Sequence, residues 1–280
     1  MKKLFILCNG RTGSSFLSDH FPSMDLSDCH NLKQYNAWEF FAMWPPNFWR
    51  NIHFLNKIKK KIPDSFVNFM VNLYLQKDGN YNDAKLNDFP YSVDMLKDFC
   101  DLLAEYDLKY FVHKHISHAN FKGGWCFDDI VSLCDAVIVN YRKSILDCWI
   151  SNVKAQESKI WISKQYDEKY DEKIWWSATA YRNFAIKYKQ RYDEIFKSLN
   201  KYNKPYVAIQ YEDFCSQENK IDFLKEKLSE IGFSGIELKE AKTIKQSKHR
   251  EHYEDCFKKY HKNHFKEDYP SIKDLTTYEF

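Results

Sequence analysis

The chain has 280 residues, 44% of them apolar and 29% charged, an ordinary globular composition that excludes disorder as the main state. Its 42 basic and 39 acidic residues nearly cancel to leave +3, which excludes a bulk electrostatic grip on nucleic acid. No apolar run approaches the roughly 18 residues of a membrane-crossing helix, so no membrane span is expected.

Taken in chain order, the start MKKLFILCNGRTG is basic, but its apolar run from Leu4 to Cys8 is too short for a signal-peptide core. The run Lys3 to Cys8 instead reads as a buried strand that ends in a glycine turn, and Ser14 to His20 begins a helix. Residues 64–77, with Asp64 or Ser65 as cap, and residues 92–105 space apolar side chains at helical intervals. Leu108 to His113 reads as a second strand and the β-branched Ala136 to Tyr141 as a third, followed by a helix over 144–165. A long amphipathic helix over 174–200, a fourth strand from Tyr206 to Tyr211 and a helix over 217–231 that stops at Gly232 complete the pattern. Strands alternating with helices predict an α/β, P-loop-like fold, a central parallel sheet flanked by helices. With no linker, repeat or low-complexity stretch, residues 1–280 read as a single domain. Ligands in such folds sit beyond the carboxyl ends of the strands, so function is expected just after Cys8, His113, Tyr141 and Tyr211.

Three features stand out there. After the first strand comes Asn9-Gly10-Arg11-Thr12-Gly13-Ser14-Ser15, a glycine turn whose backbone N–H groups, hydroxyls and arginine suit an anion. An ordinary strand–turn–helix with a serine cap is the other reading of these residues. The loop is not a Walker A motif, because Ser14 follows Gly13 where that motif needs Lys, and the third strand ends in Asn140-Tyr141-Arg142 without a Walker B Asp. Arginine is rare, only six residues (11, 50, 142, 182, 191 and 250), so each is a candidate for bidentate phosphate recognition that lysine cannot reproduce. His113 and His115 alternate to one face of the second strand and Lys114 to the other.

Other clusters are read more plainly. His113, His115 and His118, or the pairs His249/His252 and His261/His264, could be taken for metal ligands, but no cysteine or carboxylate completes a frame and no metal is expected. The eight cysteines are scattered without a CxxC pair, which argues against a zinc ribbon or disulfide scaffold and for a reducing, cytoplasmic setting. The aromatic stretch Trp38, Phe40, Phe41, Trp44, Phe48, Trp49, Phe54 fits core packing or a homodimer interface as well as it fits sugar stacking. The run Lys57-Ile58-Lys59-Lys60-Lys61 reads as a solvated helix end.

Arg-Thr-Gly-Ser-Ser-Phe-Leu over 11–17 resembles the phosphosulfate loop of sulfotransferases that use PAPS (3′-phosphoadenosine 5′-phosphosulfate). Arg142 at a strand end, with Ser151 nine residues on, resembles that family's 3′-phosphate site. Ala155-Gln156 with Trp161, Trp38-Glu39-Phe40-Phe41, Tyr211-Glu212-Asp213-Phe214 and the basic tail Lys245 to Arg250, with Tyr253 and Tyr260 beyond, resemble the trehalose-sulfotransferase-like branch, in family order over nearly the whole chain. The resemblance implies the sulfotransferase fold, with 25–91 and 245–280 as acceptor-site and C-terminal extensions. It implies PAPS as donor without a metal, and a hydroxyl acceptor on a carbohydrate or glycolipid. Arg11, Thr12, Gly13, Ser14, Ser15 and Phe16 would then hold the phosphosulfate, and Arg142, Ser151 and Arg250 the rest of the donor. Glu39 would be the general base, among aromatic neighbours that could raise its pKa, and Lys114 or Arg11 would stabilise the sulfuryl oxygens. His115 is the rival base, because the cytosolic sulfotransferases carry a catalytic His at a comparable place. Two departures stand: Arg142-Lys143-Ser144 replaces the common R-x-P, and the stretch from Trp38 to Tyr91 matches only at its E-F-F segment, so acceptor identity does not carry over. The other classes considered are a P-loop small-molecule kinase and a non-catalytic nucleotide-binding homologue.

Overall fold

Leu4, Phe5, Ile6, Leu7 and Cys8 are all fully buried, as a strand covered on both faces must be. They belong to β1 (Lys2–Asn9), the centre of a five-stranded sheet of order β2-β3-β1-β4-β5. The other strands are β2 (Gln34–Trp38), β3 (Tyr110–Ser117), β4 (Ala136–Tyr141) and β5 (Tyr206–Gln210), and every neighbouring pair is parallel. The helices described over continuous residues are α1 (Ser14–Asp19), α2 (Phe127–Leu133), α3 (Ile145–Ser158), α4 (Ala178–Lys201), α5 (Tyr211–Ser216) and α6 (Lys220–Glu230). The computed structural model describes residues 1–21, 34–38, 108–117, 127–158 and 177–241, and single positions at 97, 100, 101, 104 and 278.

The two faces of the sheet separate by residue parity. Leu4 and Ile6 of β1, Tyr110 and Val112 of β3, Ala136 and Ile138 of β4 and Val207 and Ile209 of β5 join one apolar cluster with Leu17, Phe21, Phe214, Leu224 and Leu228. That face is therefore covered by α1, α5 and α6. The opposite face carries Phe5, Phe111 and His113, whose rings meet edge-on or stacked. There α4 approaches, its Tyr188 carbonyl accepting from Asn9 Nδ2 at 3.1 Å. Helices on both faces of a parallel sheet make this an α/β protein. From β1 the chain goes out to the edge strand β2 and returns to β3 beside β1; it then crosses β1 to reach β4 and continues away on that side to β5. The winding reverses between β1 and β4, which is where such sheets open a crevice for ligands.

Local signals explain most boundaries. Ser177 caps α4, its Oγ accepting from Ala180 N at 3.2 Å, and Asn219 Oδ1 caps α6 by accepting from Asp222 N at 3.1 Å. Gly232 ends α6 at φ 77°, with Phe233 N donating to Leu228 O at 2.8 Å, the left-handed stop that a glycine there predicts. In the expected 92–105 helix, positions 97, 100, 101 and 104 are helical, with Cys100 buried and the other three exposed.

Some expectations need correction. β3 begins at Tyr110 and runs past His113 to Ser117, and the fourth strand ends at Gln210 because Tyr211 already opens α5. The helix expected from 217 begins at Lys220, after its Asn219 cap. β2, α2 and α5 carry no sequence pattern strong enough to announce them. The expected helix over 64–77, and the continuation of α3 to 165, lie outside the described residues. Among the described residues, no helix is long and apolar enough to cross a membrane.

Candidate anion site at the β1/β4 switch point

The loop after β1 owes its shape to two left-handed residues, Arg11 at φ 69° and Gly13 at φ 76°. Gly13 has no substitute, since a Cβ there would stand 2.0 Å from Cδ2 of the Tyr211 ring. Tyr211, at the start of α5, thus lies directly on the loop. Thr12 is buried, its Oγ1 standing 2.9 Å from the Asn9 carbonyl and 3.2 Å from Asn140 Oδ1. Its hydroxyl ties β1 to β4. Phe16 packs inward, its ring 5.0 Å from His20 and 5.6 Å from Phe214. Thr12 and Phe16, both expected at the donor, thus also make contacts within the fold. Ser14 is buried as well, whereas Ser15 is exposed.

Arg11 reaches across the switch point, its Nε donating to Ser151 Oγ of α3 at 2.9 Å. Ser151 was expected beside Arg142; the hydrogen bond seen here is to Arg11, because α3 runs back over the loop. Burial draws the Arg11 guanidinium below its ordinary pKa; a charged Cys148 would oppose this, and Arg142 adds to it. Burial pushes the Cys148 thiol up to about 12, so near neutrality it offers neither arginine a counter-charge. Arg11 and Arg142 thus stand near enough for each to act on the other's charge.

Arg142 follows β4 directly. Its Nη2 stands 3.4 Å from Asp147 Oδ2, its Nε 3.4 Å from Glu212 Oε1, and its guanidinium lies over the Tyr211 ring at 4.9 Å. Burial alone would lower its pKa, but Cys148 and Tyr211 once ionised, together with Asp147 and Glu212, leave it raised. The Glu212 carboxylate also accepts from Lys143 N at 3.0 Å and Ser144 N at 3.3 Å, fastening the β4–α3 turn to α5. The backbone of Arg142 is held by one phenol: its N–H donates to Tyr188 Oη at 3.0 Å, and Tyr188 Oη donates to its carbonyl at 2.8 Å. Tyr188→Phe strands both groups, so a loss of roughly 1–3 kcal/mol in stability is expected. Urea unfolding would measure it, and an unchanged midpoint would refute this role for the phenol.

Lys114 and His115 part company on β3. Lys114 is 2% exposed, lies on the α1 side and donates from Nζ to Ser15 Oγ at 3.2 Å. His115 is 4% exposed, with its ring 6.2 Å from His113 on the other face, and β3 continues beyond it to Ser117. The alternation read from the sequence holds, and it separates His115 from the Lys114–Ser15 pair. β2 ends at Trp38, in register with Lys114. Glu39, next in the sequence, lies outside the described residues, as do Arg250, Trp161, and the histidines at 118, 249, 252, 261 and 264. Among the described residues no group of three or more His, Cys, Asp or Glu is placed to hold a metal ion.

Asp147 and Tyr188 were not singled out from the sequence, nor was Tyr278. Tyr278 N donates to Lys143 O at 3.0 Å, and its ring packs 5.1 Å from Tyr192. Asp147, five residues after Arg142 in the first turn of α3, could have been flagged as its partner; the two tyrosines arrive only through tertiary folding. The molecule is an α/β protein with Arg11 and Arg142 at its switch point, Arg142 lying between Asp147 and Glu212. No protein-family model matches the chain, and no curated protein does.

Proposed function

We propose that the chain is a PAPS-dependent sulfotransferase with the fold of that family, moving a sulfuryl group to a hydroxyl of a carbohydrate or glycolipid. One observation carries the reading: Arg11 and Arg142, which follow the ends of β1 and β4, stand near enough to interact at the switch point, with Ser151 2.9 Å from Arg11 Nε. These are the residues whose motifs resemble the donor loops. Arg11, Ser15 and the loop around Gly13 hold the phosphosulfate end, and Arg142 and Ser151 the terminal 3′-phosphate. Lys114, fixed by Ser15, supplies positive charge where the sulfuryl oxygens gather it, and Glu39 takes the acceptor proton. Sulfuryl transfer passes through a loose in-line transition state like that of phosphoryl transfer, so positioning and fixed charge provide most of the catalysis.

Adenosine 3′,5′-bisphosphate should stabilise the protein far more than AMP, which lacks the 3′-phosphate. At about 100 times Kd, ligand binding adds about 2.7 kcal/mol, or roughly 5–10 °C in Tm for a chain of this size. Arg142→Lys should shrink the shift, since a point charge cannot reproduce the guanidinium fork. Equal shifts from both nucleotides would count against the assignment. Consumption of PAPS, screened over sugars, glycolipids, phenols and amines, then identifies the acceptor.

A further inference from the structure

Resting on that donor reading, we propose that Glu212 is an internal counter-anion of the terminal-phosphate subsite. In the free protein its carboxylate occupies the donors that the 3′-phosphate would take, and binding exchanges one anion for the other. Glu212 thereby sets the threshold that an arriving anion must pass, and it is a specificity-determining residue of the site.

Two backbone N–H groups donate to this one carboxylate, Lys143 N at 3.0 Å and Ser144 N at 3.3 Å, and Arg142 Nε stands 3.4 Å from it as an ion pair. An anion seated on a guanidinium and two consecutive backbone N–H groups shows what the turn accepts. The guanidinium contacts are long. Both carboxylates stand 3.4 Å from Arg142, whereas a charge-assisted N–H···O bond settles near 2.7–2.9 Å. Arg142 Nε is buried and makes no well-aligned hydrogen bond, although its side chain is only 12% exposed. A buried guanidinium held this loosely has more to gain from a dianionic phosphate than from the carboxylates it already has. Glu212 is the more exposed of the two acidic side chains, 34% against 15% for Asp147, so it is the one free to swing aside. Removing its charge removes both the competitor and the repulsion that an incoming phosphate would meet.

A purely structural clasp predicts the opposite sign, because cutting it would loosen the β4–α3 turn and weaken binding. Calorimetric titration of the wild-type protein and of E212Q with adenosine 3′,5′-bisphosphate and with AMP separates the two. The bisphosphate should bind E212Q more tightly by a factor on the order of ten, with AMP affinity changed less than about twofold. Equal or weaker bisphosphate binding by E212Q overturns the proposal, as does equal tightening of AMP, which would mark a general charge effect. The wild-type titration tests the donor reading and the ratio of the two proteins tests the exchange. Binding by E212Q alone would keep the exchange and remove the wild-type donor assignment; binding by neither protein would overturn both. Should E212Q fail to melt cooperatively, the same titrations of E212A decide.

Discussion

Glu39→Gln should lower kcat by about 10²–10⁴-fold while leaving bisphosphate affinity nearly unchanged, because the amide keeps the shape but cannot take a proton. The prediction follows from the proposed sulfuryl transfer, in which a base must accept the acceptor proton as sulfur is attacked. The fold adds an argument about place. β2 pairs with β3 so that Trp38 stands opposite Lys114, and Lys114 is tied to the loop through Ser15. That register brings the end of β2 beside the lysine assigned to the sulfuryl oxygens. His115→Asn is the control. His115 is buried on the opposite face beside His113, so its loss should lower stability more than kcat. If His115→Asn abolishes turnover in a folded protein and Glu39→Gln does not, the roles are reversed. The acidic limb of the kcat–pH profile should vanish in Glu39→Gln, and its persistence would also count against Glu39 as the base.

Gly13→Ala should cost roughly 2–5 kcal/mol of stability, the sum of two separable effects. At φ 76° an L side chain carries the left-handed penalty of about 1–2 kcal/mol. The new methyl must also displace the Tyr211 ring, which it would meet at 2.0 Å. Adding Tyr211→Ala should relieve the second effect and leave the first, so the double mutant should lose less than the two single losses added together. Additive losses in denaturant unfolding would show that ring and glycine do not meet. Tyr211 also lies under Arg142, so the clash would carry into the cationic site, and Gly13→Ala should weaken bisphosphate binding as well.

Composition and pattern determined the class of this protein. The buried β1 is apolar and β4 is β-branched over short lengths, so local chemistry was enough to place them; α4 and α6 were legible over most of their lengths, but they begin only at Ala178 and Lys220, after the Ser177 and Asn219 caps. The glycine turn and the rare arginines marked the crevice for the same reason, since each is a local demand on backbone or charge. Tertiary structure decided what sequence spacing could not. β2 is five residues with weak alternation and becomes a strand only by pairing with β3. Ser151 lies nine positions from Arg142 in sequence, yet its hydrogen bond goes to Arg11, because the path of α3 over the loop sets the distance. Thr12 and Phe16 share a motif with Arg11, and the packing of β4 and α5 decides that Thr12 is buried against Asn140 and that Phe16 lies partly buried against Phe214. Tyr188 and Tyr278 close on the Arg142 turn from α4 and from near the end of the chain, contacts that no local pattern encodes. Local chemistry chose the elements and the charges; long-range packing chose which charges face one another, because that depends on strand order and on where the helices cross the sheet.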